Sequence, residues 1–131
     1  MKNLSHFGGL PRLDFSANQA IFHDGDNGDQ AFIVESGEVE IARVVEGHKR
    51  VLGIVREGEI FGELALIDRE PRMADAVALR DTTCVVVERD LFQSKFGPVD
   101  PFIKAIMRVS ARSIRSLAGK ISRRPTRGSR L

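Results

Sequence analysis

The sequence predicts a mainly β fold with flanking helices: a double-stranded β-helix, or jelly-roll-like antiparallel barrel, with a short helix inserted and further helices at the C-terminus. Two observations carry this. From Ala20 to Glu88, short β-branched or apolar runs are separated by glycine-bearing turns. After Arg89 the apolar period changes to three and four residues, so strands give way to helices. At 131 residues the chain is long enough for one domain with a proper core and too short for two.

The elements follow in order. Residues 1–12 form an N-terminal segment ahead of a barrel expected over 13–97. Strand candidates are Ala31–Glu35, Glu38–Val45, Lys49–Val55, Ala74–Leu79 and Thr82–Val87. Ser36-Gly37, Glu46-Gly47 and Glu57-Gly58 punctuate them, each with a residue that tolerates positive φ. Ala74, Ala76 and Ala78 alternate with Met73, Asp75, Val77 and Leu79. Period 2 puts the small residues on one face, leaving room for an enclosed ligand or a neighbouring strand. Gly62 to Ile67 predicts about one and a half helical turns, and Arg89 to Phe96 a short helix interrupted by Gly97-Pro98.

A longer helix is predicted from about Asp100 to Lys120, with Asp100 as N-cap and Pro101 in the first position. It belongs to a C-terminal lid or docking segment, 98–121. Phe102, Ile103, Ile106, Val109 or Ser110, Ser113 or Ile114, Leu117 and Ile121 make an apolar stripe. Lys104, Arg108, Arg112 and Arg115 make a separate basic one. Residues 122–131 combine charge and turn formers with almost nothing to bury, which predicts a disordered basic tail.

Composition narrows the class. Apolar residues at 42% and charged residues at 29% are near globular averages, and no apolar run is long enough to span a bilayer. The N-terminus has no apolar core of a secretory signal, and the single cysteine, Cys84, excludes an internal disulfide framework. A cytoplasmic location is the expectation. Residues 1–100 hold 11 Lys and Arg against 18 Asp and Glu, a balance of −7, while 101–131 hold nine basic residues and no acidic one. An acidic body with a basic tail leaves the tail open to nucleic acid, an anionic membrane or an acidic protein face, or to a purely solubilising role.

The chemistry concentrates in Phe61–Ala74, Phe-Gly-Glu-Leu-Ala-Leu-Ile-Asp-Arg-Glu-Pro-Arg-Met-Ala. A helix start offers unpaired N–H groups to an anion, and Gly62 lets the anion come close. Arg72 can grip two phosphate oxygens, and Glu63 can accept hydrogen bonds from ribose hydroxyls. Elsewhere, Asp24, Asp26 and Glu35 fall at calcium-loop positions, but Gly28 and Asp29 break that frame and a hairpin turn is the better reading. His6, His23 and His48 are isolated, and no nucleophile elbow or Gly-Lys-Ser/Thr phosphate loop is present. No catalytic residue, metal or cofactor is therefore expected, and the chain reads as a non-enzyme.

Phe61–Ala74 resembles the phosphate-binding cassette of cyclic nucleotide-binding domains, found in the catabolite activator protein, kinase regulatory subunits and nucleotide-gated channels. The resemblance extends through Gly25, Asp29, Ala31–Gly37, Val39–Ile41 and Gly58, over roughly residues 13–97. It implies a ligand site at Gly62, Glu63, Leu64, Ala65, Arg72, Met73 and Ala74. The N–H groups of Ala65 and Met73 would join Arg72 on the cyclic phosphate, with Glu63 on the ribose 2′-hydroxyl. Many members place Ser, Thr or Ala after the arginine, where a hydroxyl can bond a guanine amino group. Met73 cannot, which favours cyclic AMP over cyclic GMP, while Asp75 adds a negative charge nearby.

For the base, Val44, Leu52, Ile54, Val55 and Leu64 are candidate apolar walls. The family usually closes the pocket from its C-terminal helix. With Trp and Tyr absent, Phe102, Arg108, Ser110 or Arg112 remain for that role. No helix-turn-helix, kinase or channel segment follows Ile121, so a sensor domain alone is expected, signalling through its helix to a partner or a second copy. Two competing expectations stand beside it. One is a nucleotide-free interaction module in which Arg72 pairs internally. The other is a nucleic-acid or anionic-membrane binder acting through Arg112, Arg115, Lys120, Arg123, Arg124, Arg127 and Arg130.

Overall fold

A computed structural model describes residues 7–122 of the chain. In chain order the elements are β1 (Arg12–Phe15), β2 (Ala20–Phe22), β3 (Gln30–Ser36), β4 (Val39–Val45), β5 (His48–Val55), β6 (Ile60–Phe61), α1 (Leu64–Asp68), β7 (Asp75–Ala78), β8 (Thr82–Glu88), α2 (Arg89–Phe96) and α3 (Pro101–Ser122). The strands form two four-stranded antiparallel sheets, β1-β8-β3-β6 and β2-β7-β4-β5. This is the jelly-roll arrangement the sequence predicts. All five strand candidates are present, each end displaced by at most one residue.

Local chemistry explains the pieces. The β4–β5 hairpin turns on Glu46 (φ 53°) and Gly47 (φ 79°), the two consecutive positive angles of a tight turn between right-twisted strands. Ala74, Ala76 and Ala78 are at most 2% exposed, so the small-residue face of β7, the strand between β2 and β4, points inward. The core is aromatic at its centre. Phe32 and Phe61 stack at 5.2 Å, Phe22 lies about 6 Å from both, and Val34, Val39, Ala76, Cys84 and Val86 complete the cluster. Burial pushes the Cys84 thiol up to about 12, so it behaves as a small core residue.

Strands β1, β2 and β6 are not among the sequence candidates. They hold four, three and two residues, too few for a period-2 pattern to emerge, and their pairing partners define them.

In α3 the Asp100 carboxylate accepts the Phe102 N–H at 2.7 Å, the cap that Asp-Pro predicts. The outer part of its apolar stripe faces solvent: Phe102 is 70% exposed, and Ile103, Ile106 and Val109 are also open. The other end of α3 packs against α1, β4 and β5. No helix among the described residues is long and apolar enough to cross a membrane. Of the tail, Arg123, Arg124, Arg127 and Arg130 lie outside the described residues, as does the disorder expected there.

Candidate functional site

The site is built where β6 leaves the core. Phe61 is anchored in the core stack, and Gly62 then takes φ 80°, a left-handed angle that turns the chain into α1. Glu63 is the N-cap residue of this helix but supplies no side-chain cap. The N–H groups of Leu64 and Ala65 open the helix, where no intrahelical acceptor exists. After five residues α1 stops at Arg69 (φ 59°), and 70–74 carry the chain back to β7.

That return segment delivers Arg72. Its backbone is tied to the β2–β3 loop, with the Arg72 N–H donating to the Asp26 carbonyl and the Gly25 N–H donating to the Arg72 carbonyl, both at 2.8 Å. The side chain is only 7% exposed. Nη1 donates to the Gly62 carbonyl and Nη2 to the Gln30 carbonyl, each at 2.7 Å, and the guanidinium lies 4.0 Å over the Phe22 ring. Its Nε is buried and has no hydrogen-bond partner. Gly28 packs flat against the group: a Cβ there would lie 2.3 Å from Arg72 Cζ.

Burial pulls the Arg72 pKa below its ordinary value, the charges of Asp29 and Asp26 oppose this, and those of Arg115 and Arg89 add to it. Glu63 is pushed the other way. Burial raises its pKa, and its own backbone N–H and the Arg72 charge hold the rise in check. The guanidinium's hydrogen bonds go to carbonyl oxygens, and its effect on Glu63 is one of charge.

A pocket of about 200 Å³ opens on these groups. Gly62, Glu63, Leu64, Ala65, Arg72, Met73 and Ala74 all line it, so the seven residues named from the cassette come together on one wall. Val55 lines it as well. Leu52 and Ile54 line an adjoining depression with Val55 and Met73, whereas Val44 is 61% exposed on the outside of β4. Phe102 and Ser110 are exposed and border neither space. Arg108 and Arg112 border a separate basic cleft of about 510 Å³, shared with Arg69, Arg115 and the acids Asp68 and Glu70. Asp75 faces away from the pocket, where its carboxylate accepts the Asp24 N–H at 2.7 Å.

Several lining residues are not among the sequence candidates. Phe22, Ile41, Ile60 and Phe61 read as core or strand positions. Ile114 and Arg115 come from α3 and supply the C-terminal wall, one turn beyond the residues nominated for it. No signal in the spacing singles them out, because apolar and basic positions are also neighbours at Ile103-Lys104 and Arg108-Val109.

The arrangement joins a buried cation, free helix-start N–H groups and a carboxylate in one apolar pocket. The family model for the cyclic nucleotide-binding domain matches residues 12–97. The chain belongs to this family. Other cyclic nucleotide-binding domains give the same picture. A CRP-like cAMP-activated global transcriptional regulator of Mycobacterium tuberculosis is 31% identical over 81% of this chain and 48% of its own length. A cAMP-dependent protein kinase regulatory subunit of Hypocrea atroviridis is 34% identical over 72% of this chain and 20% of its own length. Among solved structures, the cAMP-bound form of the EAL enzyme Bd1971 superposes with a TM-score of 0.78 at 36% identity, over 80% of this chain and 28% of that one. The chain thus spans about half the length of the transcriptional regulator and about a fifth of the kinase subunit.

Proposed function

We propose that the chain is a regulatory sensor, not an enzyme, that binds cyclic AMP in the cassette pocket and transmits occupancy through α3. One observation carries the ligand reading: Arg72, a buried cation with an unpartnered Nε, lines the same pocket as the open helix start at Gly62–Ala65. Burying a charge is costly unless a partner awaits it, and a cyclic phosphate is a suitable one. Glu63 then accepts from the ribose 2′-hydroxyl, and Met73, with no hydroxyl, leaves a guanine amino group without an acceptor. Relatives named for cyclic AMP, and a neighbour structure that contains it, support the same choice. A second Bd1971 structure holds cyclic GMP, so the preference in this chain rests on Met73.

Signalling through α3 draws support from Ile114 and Arg115 on the pocket wall and from the open apolar stripe on the same helix. A ligand contacting the docked helix favours that position over a detached one. The stripe then offers Phe102, Ile106 and Val109 to a protein partner or a second copy. A cytoplasmic location fits a nucleotide sensor.

Calorimetry with cyclic AMP, cyclic GMP and ATP tests the proposal. Cyclic AMP is expected to bind best, and Arg72→Ala to abolish it. No binding of either cyclic nucleotide, or unchanged binding by the variant, refutes the sensor reading.

A second reading has its own observation. The Gly62 and Gln30 carbonyls already engage Arg72, as a nucleotide-free interaction module would require. Thermal unfolding unaffected by saturating cyclic nucleotide would favour that module.

A further inference from the structure

Arg115 belongs to α3, yet its guanidinium is committed to the loop that carries Arg72. Its Nε and Nη2 donate to the two carboxylate oxygens of Asp68 at 2.5 and 3.0 Å. Nη1 donates to the Pro71 carbonyl at 2.8 Å, and Nη2 reaches the Glu70 carbonyl at 3.4 Å. The paired side chains are shielded, Arg115 being 18% and Asp68 12% exposed. Asp68 in turn accepts the Glu70 N–H at 3.0 Å. The segment from the end of α1 to the residue before Arg72 is therefore held from one side chain on another element.

We infer that Arg115 is a positioning residue for the nucleotide site: by clamping Asp68, Glu70 and Pro71 it fixes the loop that seats Arg72 in the pocket wall. This rests on the cyclic nucleotide reading of that pocket. An exposed ion pair would contribute little, but here the fork is bidentate, shielded and extended to the carbonyls of Glu70 and Pro71. Arg115 also lines the pocket, and its charge acts on Arg72. An anion bound at Arg72 offsets that repulsion, so ligand and clamp reinforce one another.

The test combines cyclic AMP calorimetry on the full chain with amide hydrogen exchange at Arg69, Glu70 and Arg72 in the nucleotide-free protein. Arg115→Ala, Asp68→Asn and their double variant are compared with Arg115→Lys, which keeps charge and stem but loses the planar fork. Each single variant is expected to weaken cyclic AMP binding by about tenfold, the loss of roughly one charged hydrogen bond. The double variant should fall no further than the weaker single one, and loop exchange should quicken in all. Wild-type affinity in Arg115→Ala and Arg115→Lys, additive losses, or unchanged loop exchange would overturn the inference. If the wild-type chain binds no cyclic nucleotide, the pocket reading fails. Loop exchange then decides whether Arg115 fixes the loop: faster exchange upholds that step, and unchanged exchange overturns it.

Discussion

Two glycines touch the Arg72 guanidinium from different sides, and replacing each by alanine separates backbone strain from displacement of the arginine. A Cβ at Gly62 would lie 2.8 Å from Arg72 Nη1 and 3.3 Å from Phe22 Cε2, on a backbone at φ 80°. The left-handed angle costs an alanine about 1–2 kcal/mol. Pushing Nη1 off the Gly62 carbonyl costs about 1.5–3 kcal/mol more, the range for a charged hydrogen bond. A Cβ at Gly28 would lie 2.3 Å from Cζ and Nε of the same guanidinium, but Gly28 has no positive φ. Both variants should therefore weaken cyclic AMP binding by about 10–100-fold through the displaced arginine. Gly62→Ala should melt lower than Gly28→Ala by roughly 4–8 °C, the strain at about 4 °C per kcal/mol for a domain of this size. Calorimetry and thermal unfolding monitored by circular dichroism read the two effects separately. Wild-type affinity in Gly28→Ala would show that the seat of Arg72 has no bearing on binding, and equal melting of the two variants would remove the strain argument.

The other perturbations test the remaining parts of the site. Because burial raises the Glu63 pKa above its ordinary 4.5, the native state holds that proton more tightly than the unfolded chain. The charged carboxylate therefore costs stability at neutral pH, and the cost fades as pH falls through the raised pKa. Glu63→Gln should melt above wild type at neutral pH, lose that advantage in acid, and bind cyclic AMP more weakly; a pH-independent difference would refute the burial argument. Met73→Thr restores a hydroxyl beside Arg72 and should raise cyclic GMP affinity relative to cyclic AMP by about tenfold, the worth of one hydrogen bond, in competition calorimetry. Ile106→Glu with Val109→Glu places charge on the open stripe of α3 and should convert any dimer to monomer in sedimentation, with nucleotide affinity retained.

The cassette was legible because its residues are chosen by backbone geometry and charge within one short segment. Gly62 takes a left-handed angle, Arg72 is a fixed cation in the same short segment, and both properties show in the residue types. The alanine face of β7 was legible for a similar reason, since period 2 assigns the face once the strand is known. The C-terminal wall was not. Phe102, Arg108, Ser110 and Arg112 lie on the same helix as Ile114 and Arg115, and helical spacing alone does not say which turn meets the barrel. That choice is made by Asp68 and the carbonyls of Glu70 and Pro71, a tertiary match across some 45 residues of chain. An internal partner for Arg72 is one of the competing expectations from sequence, and folding turns the guanidinium toward the carbonyls of Gly62 and Gln30.

That internal pairing does not exhaust the arginine. A guanidinium carries five N–H donors in a fixed plane, and the two carbonyl bonds occupy two of them. Nε and the second hydrogens of both terminal nitrogens remain, and Nε is buried with no partner. A fully internal role would satisfy that nitrogen, because leaving a buried donor unmade costs about 1–3 kcal/mol. Gly28, the residue lying against it, has no side chain that could supply an acceptor, and a Cβ there would occupy the space the guanidinium now fills. The carbonyls of Gly62 and Gln30 thus hold the plane of the group while donors are left for an anion. The same two carbonyl bonds that favour the nucleotide-free reading also fix the plane in which the remaining N–H groups lie, which is pre-organisation for the nucleotide-binding one.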